Sequence, residues 1–351
     1  MSQSGPRHYR RGALRFVWPS PALPVTRWAA RHADADYGAG ALPDWRTVNW
    51  AMHTRQVTLD GGPVNFVDLG AGDQTVVFVH GLGGSWQNWL ENVAAVAASG
   101  RRVIAFDLPG FGRSPMAREP ISITQYARTL DELCAQLDLG PVAVVGSSMG
   151  GFIAAETAIR HPDRVELLVL VDAAGISSST ARNRVSDRVG RFLLTGGAGP
   201  EDDPQHRRAQ ARAMLRRPGY IQLAMGAIAR HPTRLARDLL AEQVQFAGSP
   251  GFFPGLEALI GYRFVDRLGD IGCPTLVIQG ADDVLVPLGD AHEFTRRIPR
   301  ATCLVLDDTG HVPMLERPRT FNRALIEFLD ERVAPDRPHP STSPTITQDR
   351  T

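Results

Sequence analysis

Two serines stand side by side between glycines in the stretch VVGSSMGGFIAA, Val144 to Ala155. The run Gly146-Ser147-Ser148-Met149-Gly150 fits the pattern G-x-S-x-G with Ser148 at its centre. An apolar run, PVAVV, precedes it and a helical pattern, GFIAAETAIR, follows. That is the strand–turn–helix setting in which a serine is held on a sharp turn with its hydroxyl presented for attack. Gly146 and Gly150 leave room for the neighbouring backbone, and Gly151, Ala154 and Ala155 let the helix lie close to a sheet. The helix N-terminus favours an anion nearby. Ser147 precedes the centre, and its side chain is expected to point away and pack.

A serine hydroxyl attacks only when a base takes its proton, and the base needs an orienting carboxylate. Of the ten histidines, His311 follows the apolar run ATCLVLD near the C-terminus, in DDTGHVPMLERP. His8 and His32 lie in the N-terminal stretch, His161 and His292 on expected helix surfaces, and His339 in the tail. The turn in TLVIQGADDVLVP carries Asp282 and Asp283. Loops at the carboxyl edge of an open α/β sheet are where catalytic groups gather, although an Asp-rich turn is also ordinary turn chemistry. In VVFVHGLGGSWQNW the run His80-Gly81-Leu82-Gly83-Gly84 exposes backbone amides able to hold an oxyanion. A phosphate cradle is the competing reading, but the P-loop pattern and its lysine are missing. Trp86 and Trp89 follow that loop and suit either a substrate pocket or the core.

These groups must be positioned by a sheet. Thr75–Val79, Arg102–Phe106, Pro141–Val145, Val165–Val171, Thr275–Gln279 and Thr302–Leu306 are short, apolar and β-branched. Continuous apolar runs suit strands covered on both faces. RQVTLDGGPVNFVDLG reads as a hairpin about Asp60-Gly61-Gly62. Ser122 and Gln125 form a capping box before Leu130, Leu133 and Leu137, and a last helix carries Phe321, Leu325 and Leu329 on one face. The alternation predicts an α/β fold: a mostly parallel twisted sheet of about eight strands with helices on both faces. The expected organisation is an N-terminal arm over residues 1–55, a core formed by 56–172 and 272–333, a helical cap over 173–271, and a disordered tail over 334–351. Within the cap, RRAQARAMLRR and TRLARDLLAEQ read as amphipathic helices.

Composition narrows the chemistry further. A net charge of +1 supplies no global field for nucleic acid. No apolar run approaches the roughly 20 residues that a spanning helix needs. The three cysteines lack metal spacing and fit free thiols in a reducing compartment, so a cytoplasmic location is expected; a Cys273–Cys303 bridge is the less favoured reading. The N-terminal Arg and Trp residues suit an arm packed on the domain, with weak membrane-surface contact as the minority reading, and prolines at 19, 21 and 24 break any secretion signal. The chain contains no lysine at all, so no lysine can form a Schiff base or hold a pyridoxal cofactor.

In combination and in order, HGLGGS, DLPGFGRS, GSSMGG, GADDVLVP and GHVPMLERP resemble the α/β-hydrolase fold superfamily, from about Gln56 to Val333. The resemblance implies Ser148 as nucleophile, His311 as base and Asp283, rather than Asp282, as acid. It leaves Asp172 as an alternative acid, because some relatives place theirs at the end of that strand. It implies the Leu82 and Met149 amides as the oxyanion hole, a structural His80, an Asp107 that shapes a turn, and no metal or organic cofactor. The resemblance points to hydrolysis of a carboxylic ester, and the apolar residues of the expected cap point to a small to medium, fairly apolar substrate. A nucleophilic serine departs from dehalogenases and epoxide hydrolases of this fold, which use aspartate. HGLGGSW departs from the Gly-Pro-Gly loop of carbon–carbon hydrolases, and Met149-Gly150-Gly151 lacks the Trp of proline iminopeptidases. A carbon–carbon hydrolase of a vinylogous diketone and a non-catalytic ligand-binding relative stay as alternatives, with perhydrolysis as a side activity.

Overall fold

Along the four strands Thr75–Val79, Arg102–Phe106, Val142–Ser147 and Val165–Val171, alternate residues enter two different apolar clusters. Val77, Ile104, Val144 and Leu168 join one, and Val76, Val103, Val145 and Val169 join the other. A period of two sends successive side chains to opposite faces, so both faces of the sheet are covered along these four strands. The structure is a computed structural model that describes residues 30–177, 209, 212–213, 215–216 and 218–331.

The sheet has eight strands in the order β1-β2-β4-β3-β5-β6-β7-β8. They are β1 (Thr54–Leu59), β2 (Gly62–Leu69), β3 (Thr75–Val79), β4 (Arg102–Phe106), β5 (Val142–Ser147), β6 (Val165–Val171), β7 (Thr275–Gly280) and β8 (Ala301–Leu306). β1 and β2 form the expected hairpin, with Leu59 opposite Gly62. β2 runs antiparallel to β4, and every later pairing is parallel. β8 departs from the expectation of strands covered on both faces. It is an edge strand, and Thr302 and Cys303 are exposed.

The helices Ile123–Gln136, Met149–Arg160 and Leu288–Arg297 pack on the first face, and Leu90–Ala98 and Pro318–Asp330 on the second. In the last of these Phe321, Leu325 and Leu329 recur at helical spacing and are completely buried, each worth about 1.5–3 kcal/mol. Ser122 caps its helix by accepting from the Gln125 amide at 3.1 Å. The reciprocal half of the capping box is not made, because the Gln125 side chain donates to Thr129 instead.

Between β6 and β7, residues 218–271 are helical or irregular, with helices at Pro218–Met225, Arg237–Val244 and Phe252–Gly261. The second half of TRLARDLLAEQ is thus helical; much of RRAQARAMLRR lies outside the described residues, as do residues 1–29 of the arm and the tail from 332. This segment meets the loops after β3, β4 and β8. Gly251 donates to the Gly110 carbonyl at 2.9 Å, Phe252 lies against Gly83, and the His311 amide donates to the Ile228 carbonyl at 2.7 Å. From residue 30 the N-terminal stretch is docked on the body. Tyr37 and Trp45 are buried, and the Trp45 indole donates to Glu91 at 3.0 Å. All three cysteines are free thiols. Among the described residues no helix is long and apolar enough to cross a membrane.

Candidate active site

Four neighbouring parallel strands end at one edge of the sheet, and each is followed by a polar residue singled out above. Ser148 follows β5, Asp172 follows β6, Asp283 lies in the turn after β7, and His311 lies in the loop after β8. Residues far apart in the chain therefore share one edge because their strands are in register.

Ser148 links β5 directly to the helix Met149–Arg160 and holds φ 55°, ψ −118°. A positive φ is costly for a residue with a side chain, so the surroundings must enforce it. The Ser148 amide donates to the Val171 carbonyl on β6 at 2.9 Å, and its carbonyl accepts from Phe152 and Ala174 at 3.2 and 3.1 Å. A Cβ at Gly146 would lie 2.2 Å from the Gly150 carbonyl oxygen, and one at Gly150 would lie 2.2 Å from that of Val79. Both glycines are therefore demanded by backbone packing. Ser147 is buried, whereas Ser148 is partly open.

The loop after β3 passes close to this serine. A Cβ at Gly81 would sit 3.1 Å from the Ser148 Cβ. The Gly84 amide donates to the Gly81 carbonyl at 3.1 Å, closing a β-turn in which Gly83 takes φ 74°. A turn of this kind does not use the amide of its second residue, here Leu82. Met149 is the first residue of its helix, so its amide is one of those without an intrahelical acceptor. His80 anchors the loop. Its ring Nδ1–H donates to the Gly81 carbonyl at 2.7 Å, and Nε2 accepts the Leu108 amide at 3.0 Å. Both nitrogens are thereby committed, and burial pushes the His80 pKa down to about 4. Asp107 receives the amides of Trp86 and Arg113 and the Asn65 side chain at 2.8–2.9 Å, fixing the adjoining turn. Burial raises it to about 6.

Trp86 and Trp89 pack into the core. Trp89 is completely buried against Phe78, and Trp86 lies against Trp50, each at 4.7–5.0 Å between ring centres.

His311 Nδ1 and Asp283 Oδ2 are 2.7 Å apart. The other Asp283 oxygen accepts the amides of Leu285 and Val286 at 2.7 and 3.1 Å. Burial works against the charged imidazole, but the Asp283 carboxylate outweighs it and holds the His311 pKa above its ordinary value. Burial likewise works against the Asp283 anion, yet His311 and the backbone donors hold that carboxyl below its ordinary value. Asp282, the neighbour in the same turn, instead faces Arg230 at 3.6 Å. Asp172, Asp283 and His311 are also the one trio of potential metal ligands among the described residues, with donor atoms within 4.8 Å of one another. The ring nitrogen and the Asp283 oxygen are bonded directly to each other, which leaves no space between them for an ion.

In the sequence Glu316 stands out only as part of GHVPMLERP. It is completely buried. Its carboxylate accepts the Gly310 amide at 2.9 Å, the Val312 amide at 3.3 Å, the Arg230 amide at 2.8 Å, and the Tyr37 hydroxyl. The Gly310 and Val312 amides flank His311, so this carboxylate shapes the loop that carries the imidazole. The Tyr37 hydroxyl also accepts the His231 amide at 2.7 Å. An acidic residue directly after the apolar run VPML is the only sign of Glu316 in the sequence, and nothing there points to Tyr37.

The family model of the alpha/beta hydrolase fold matches residues 74–318. A 2-hydroxy-6-oxononadienedioate/2-hydroxy-6-oxononatrienedioate hydrolase of Cupriavidus pinatubonensis is 30% identical over 311 residues, covering 81% of this chain and 98% of that protein. The structure of a bacterial membrane phospholipase A aligns with a TM-score of 0.62 at 25% identity, over 82% of this chain and 90% of that one. A meta-cleavage product hydrolase from Pseudomonas fluorescens shares the fold, with a TM-score of 0.61 at 22% identity over 80% and 99% of the two chains. On the extent of the family match, the chain belongs to the alpha/beta hydrolase fold family of enzymes.

Proposed function

We propose that this enzyme hydrolyses a carboxylic ester of a small to medium, fairly apolar molecule through an acyl-enzyme on Ser148. The observation that carries the reading is the His311–Asp283 hydrogen bond of 2.7 Å at the same sheet edge as a serine held at positive φ. In this mechanism Ser148 attacks the acyl carbonyl while His311 takes its proton at Nε2. Asp283 holds the ring through Nδ1 and stabilises the imidazolium. The amides of Leu82 and Met149 receive the oxyanion. His311 then protonates the leaving alcohol, and water repeats the sequence to release the acid. All of this needs only the chain's own groups. The helices between β6 and β7 serve as the cap. Gly255, where a Cβ would lie 3.1 Å from Leu82 and 3.5 Å from the Met149 sulfur, brings an apolar helix onto the oxyanion residues. Similarity to a phospholipase A supports an ester as substrate.

A second reading has its own support. The Cupriavidus relative is named for cleavage of a dienedioate, so the same residues acting on a ring-fission diketone, with water as the final nucleophile, form the alternative. Purified protein is expected to hydrolyse short- to medium-chain p-nitrophenyl esters faster than a vinylogous diketone. Ser148→Ala should lower turnover by about 10³-fold or more, and Ser147→Ala should retain it. Loss in Ser147→Ala with survival in Ser148→Ala would overturn the assignment, whereas a preference for the diketone would move the substrate class to the second reading.

A further inference from the structure

We propose that Asp172 is a neutral carboxylic acid that donates a hydrogen bond to Asp283, so that Asp172 adds no further negative charge to that of Asp283 behind His311. The proposal rests on the roles of Ser148, His311 and Asp283 given above, and it makes Asp172 a positioning residue that acts through Asp283.

Asp172 closes β6 with φ 43° and no exposed surface. Its backbone is fixed by its amide, which donates to the Ile278 carbonyl at 2.9 Å. Its side chain is thereby committed to the interior beside β7. One carboxyl oxygen, Oδ1, accepts the Gly280 amide at 2.9 Å. The other, Oδ2, is buried and has no donor. A buried carboxylate oxygen without a donor is expensive, whereas a hydroxyl at the same place needs only an acceptor. Asp283 is the neighbouring acceptor: an oxygen of each carboxyl and a nitrogen of His311 lie within 4.8 Å of one another, and a hydrogen bond between the two carboxyls raises Asp172 and lowers Asp283.

The proton can be assigned because the two carboxyls are not equivalent. Asp283 receives His311 at 2.7 Å, the Leu285 and Val286 amides at 2.7 and 3.1 Å, and the Gln279 side chain at 3.3 Å. Asp172 receives one amide. Two carboxyls this close do not both ionise, and the anion settles where the donors are. Burial and then the neighbouring Asp283 charge raise the Asp172 carboxyl well above its ordinary value, in agreement with this division. A proton shared in this way spreads part of the Asp283 charge while leaving its bond to His311 in place.

The test is the pH dependence of kcat/KM in Asp172→Asn, whose amide matches a protonated carboxyl in shape and can still donate. In the parent enzyme kcat/KM falls as pH drops through the His311 pKa, which Asp283 and, more weakly, the Glu316 carboxylate hold above the ordinary 6.5 against burial. If Asp172 is neutral, Asp172→Asn leaves that acid limb in place. If Asp172 is ionised, removing its charge moves the limb down by roughly one unit or more, and the proposal is wrong. A second measurement needs no Asp172 variant. Carbon-13 spectra of aspartate carboxyls in Ser148→Ala protein at about pH 8, above the value of about 6 reached by Asp107, should retain one protonated signal, and that signal should survive Asp290→Asn, which removes the remaining aspartate that burial raises. A spectrum with every aspartate ionised contradicts the proposal, whatever the fate of turnover in Ser148→Ala, which bears on the nucleophile alone.

Discussion

The two halves of the candidate site are held by different physics. The Ser148 elbow is a backbone construction. A strand, a helix and two glycines in backbone contact enforce one strained residue, and all of it lies within a short stretch of chain. The His311 loop is built from buried polar groups. Its imidazole is aligned by Asp283, and its backbone by Glu316, which in turn holds Tyr37 and the Arg230 amide. Packing of bare backbone tolerates almost no change in volume. A buried polar network tolerates change in proportion to how many partners each member loses.

Substitutions can separate the two. The largest effect is expected at the elbow. Gly150→Ala places a methyl 2.2 Å from the Val79 carbonyl oxygen, and no flexible side chain can yield there. Denaturant unfolding should show a loss of about 3 kcal/mol, with activity falling in step. A folded, active Gly150→Ala protein would mean that the elbow is not rigid in the way described.

Next comes Glu316→Gln, which sets an amide NH₂ among donors. It should cost about 2–3 kcal/mol and lower kcat/KM about tenfold, while KM for a p-nitrophenyl ester changes little. Equal loss of stability without loss of kcat would reduce Glu316 to a purely structural role. The smallest effect is expected for Tyr37→Phe. It removes one hydroxyl that joins Glu316 to the His231 amide, so about 1–2 kcal/mol and a fall in kcat/KM of about threefold or less are predicted. A larger loss would make the N-terminal segment as important to the site as the elbow.

The same contrast explains what could be read from residue order. The elbow was legible because its determinants are neighbours: PVAVV, the two glycines and GFIAAETAIR declare a strand, a turn and a helix locally. The strands were legible too, because burial on both faces imposes continuous apolar runs on β3 to β7. β8 broke that rule at the sheet edge, where Thr302 and Cys303 meet solvent. The Glu316–Tyr37 bond joins residues 279 positions apart, and no local pattern encodes such a pairing. Asp172 shows an intermediate case. Its place after β6 marks it as a candidate acid, but only the sheet register shows that it stands beside Asp283. Trp86 and Trp89 carried no directional information, since an aromatic residue after a loop suits a pocket and a core equally.

The central claim is that Ser148, not its neighbour, is the activated nucleophile, and a fluorophosphonate probe tests it most directly. Because the chain has no lysine, tryptic cleavage at Arg128 and Arg160 releases both serines in one peptide, 129–160. Fragmentation of that peptide should place a single adduct on Ser148, with no labelling of Ser148→Ala protein. An adduct on Ser147, or a folded parent protein that resists the probe, would contradict the account.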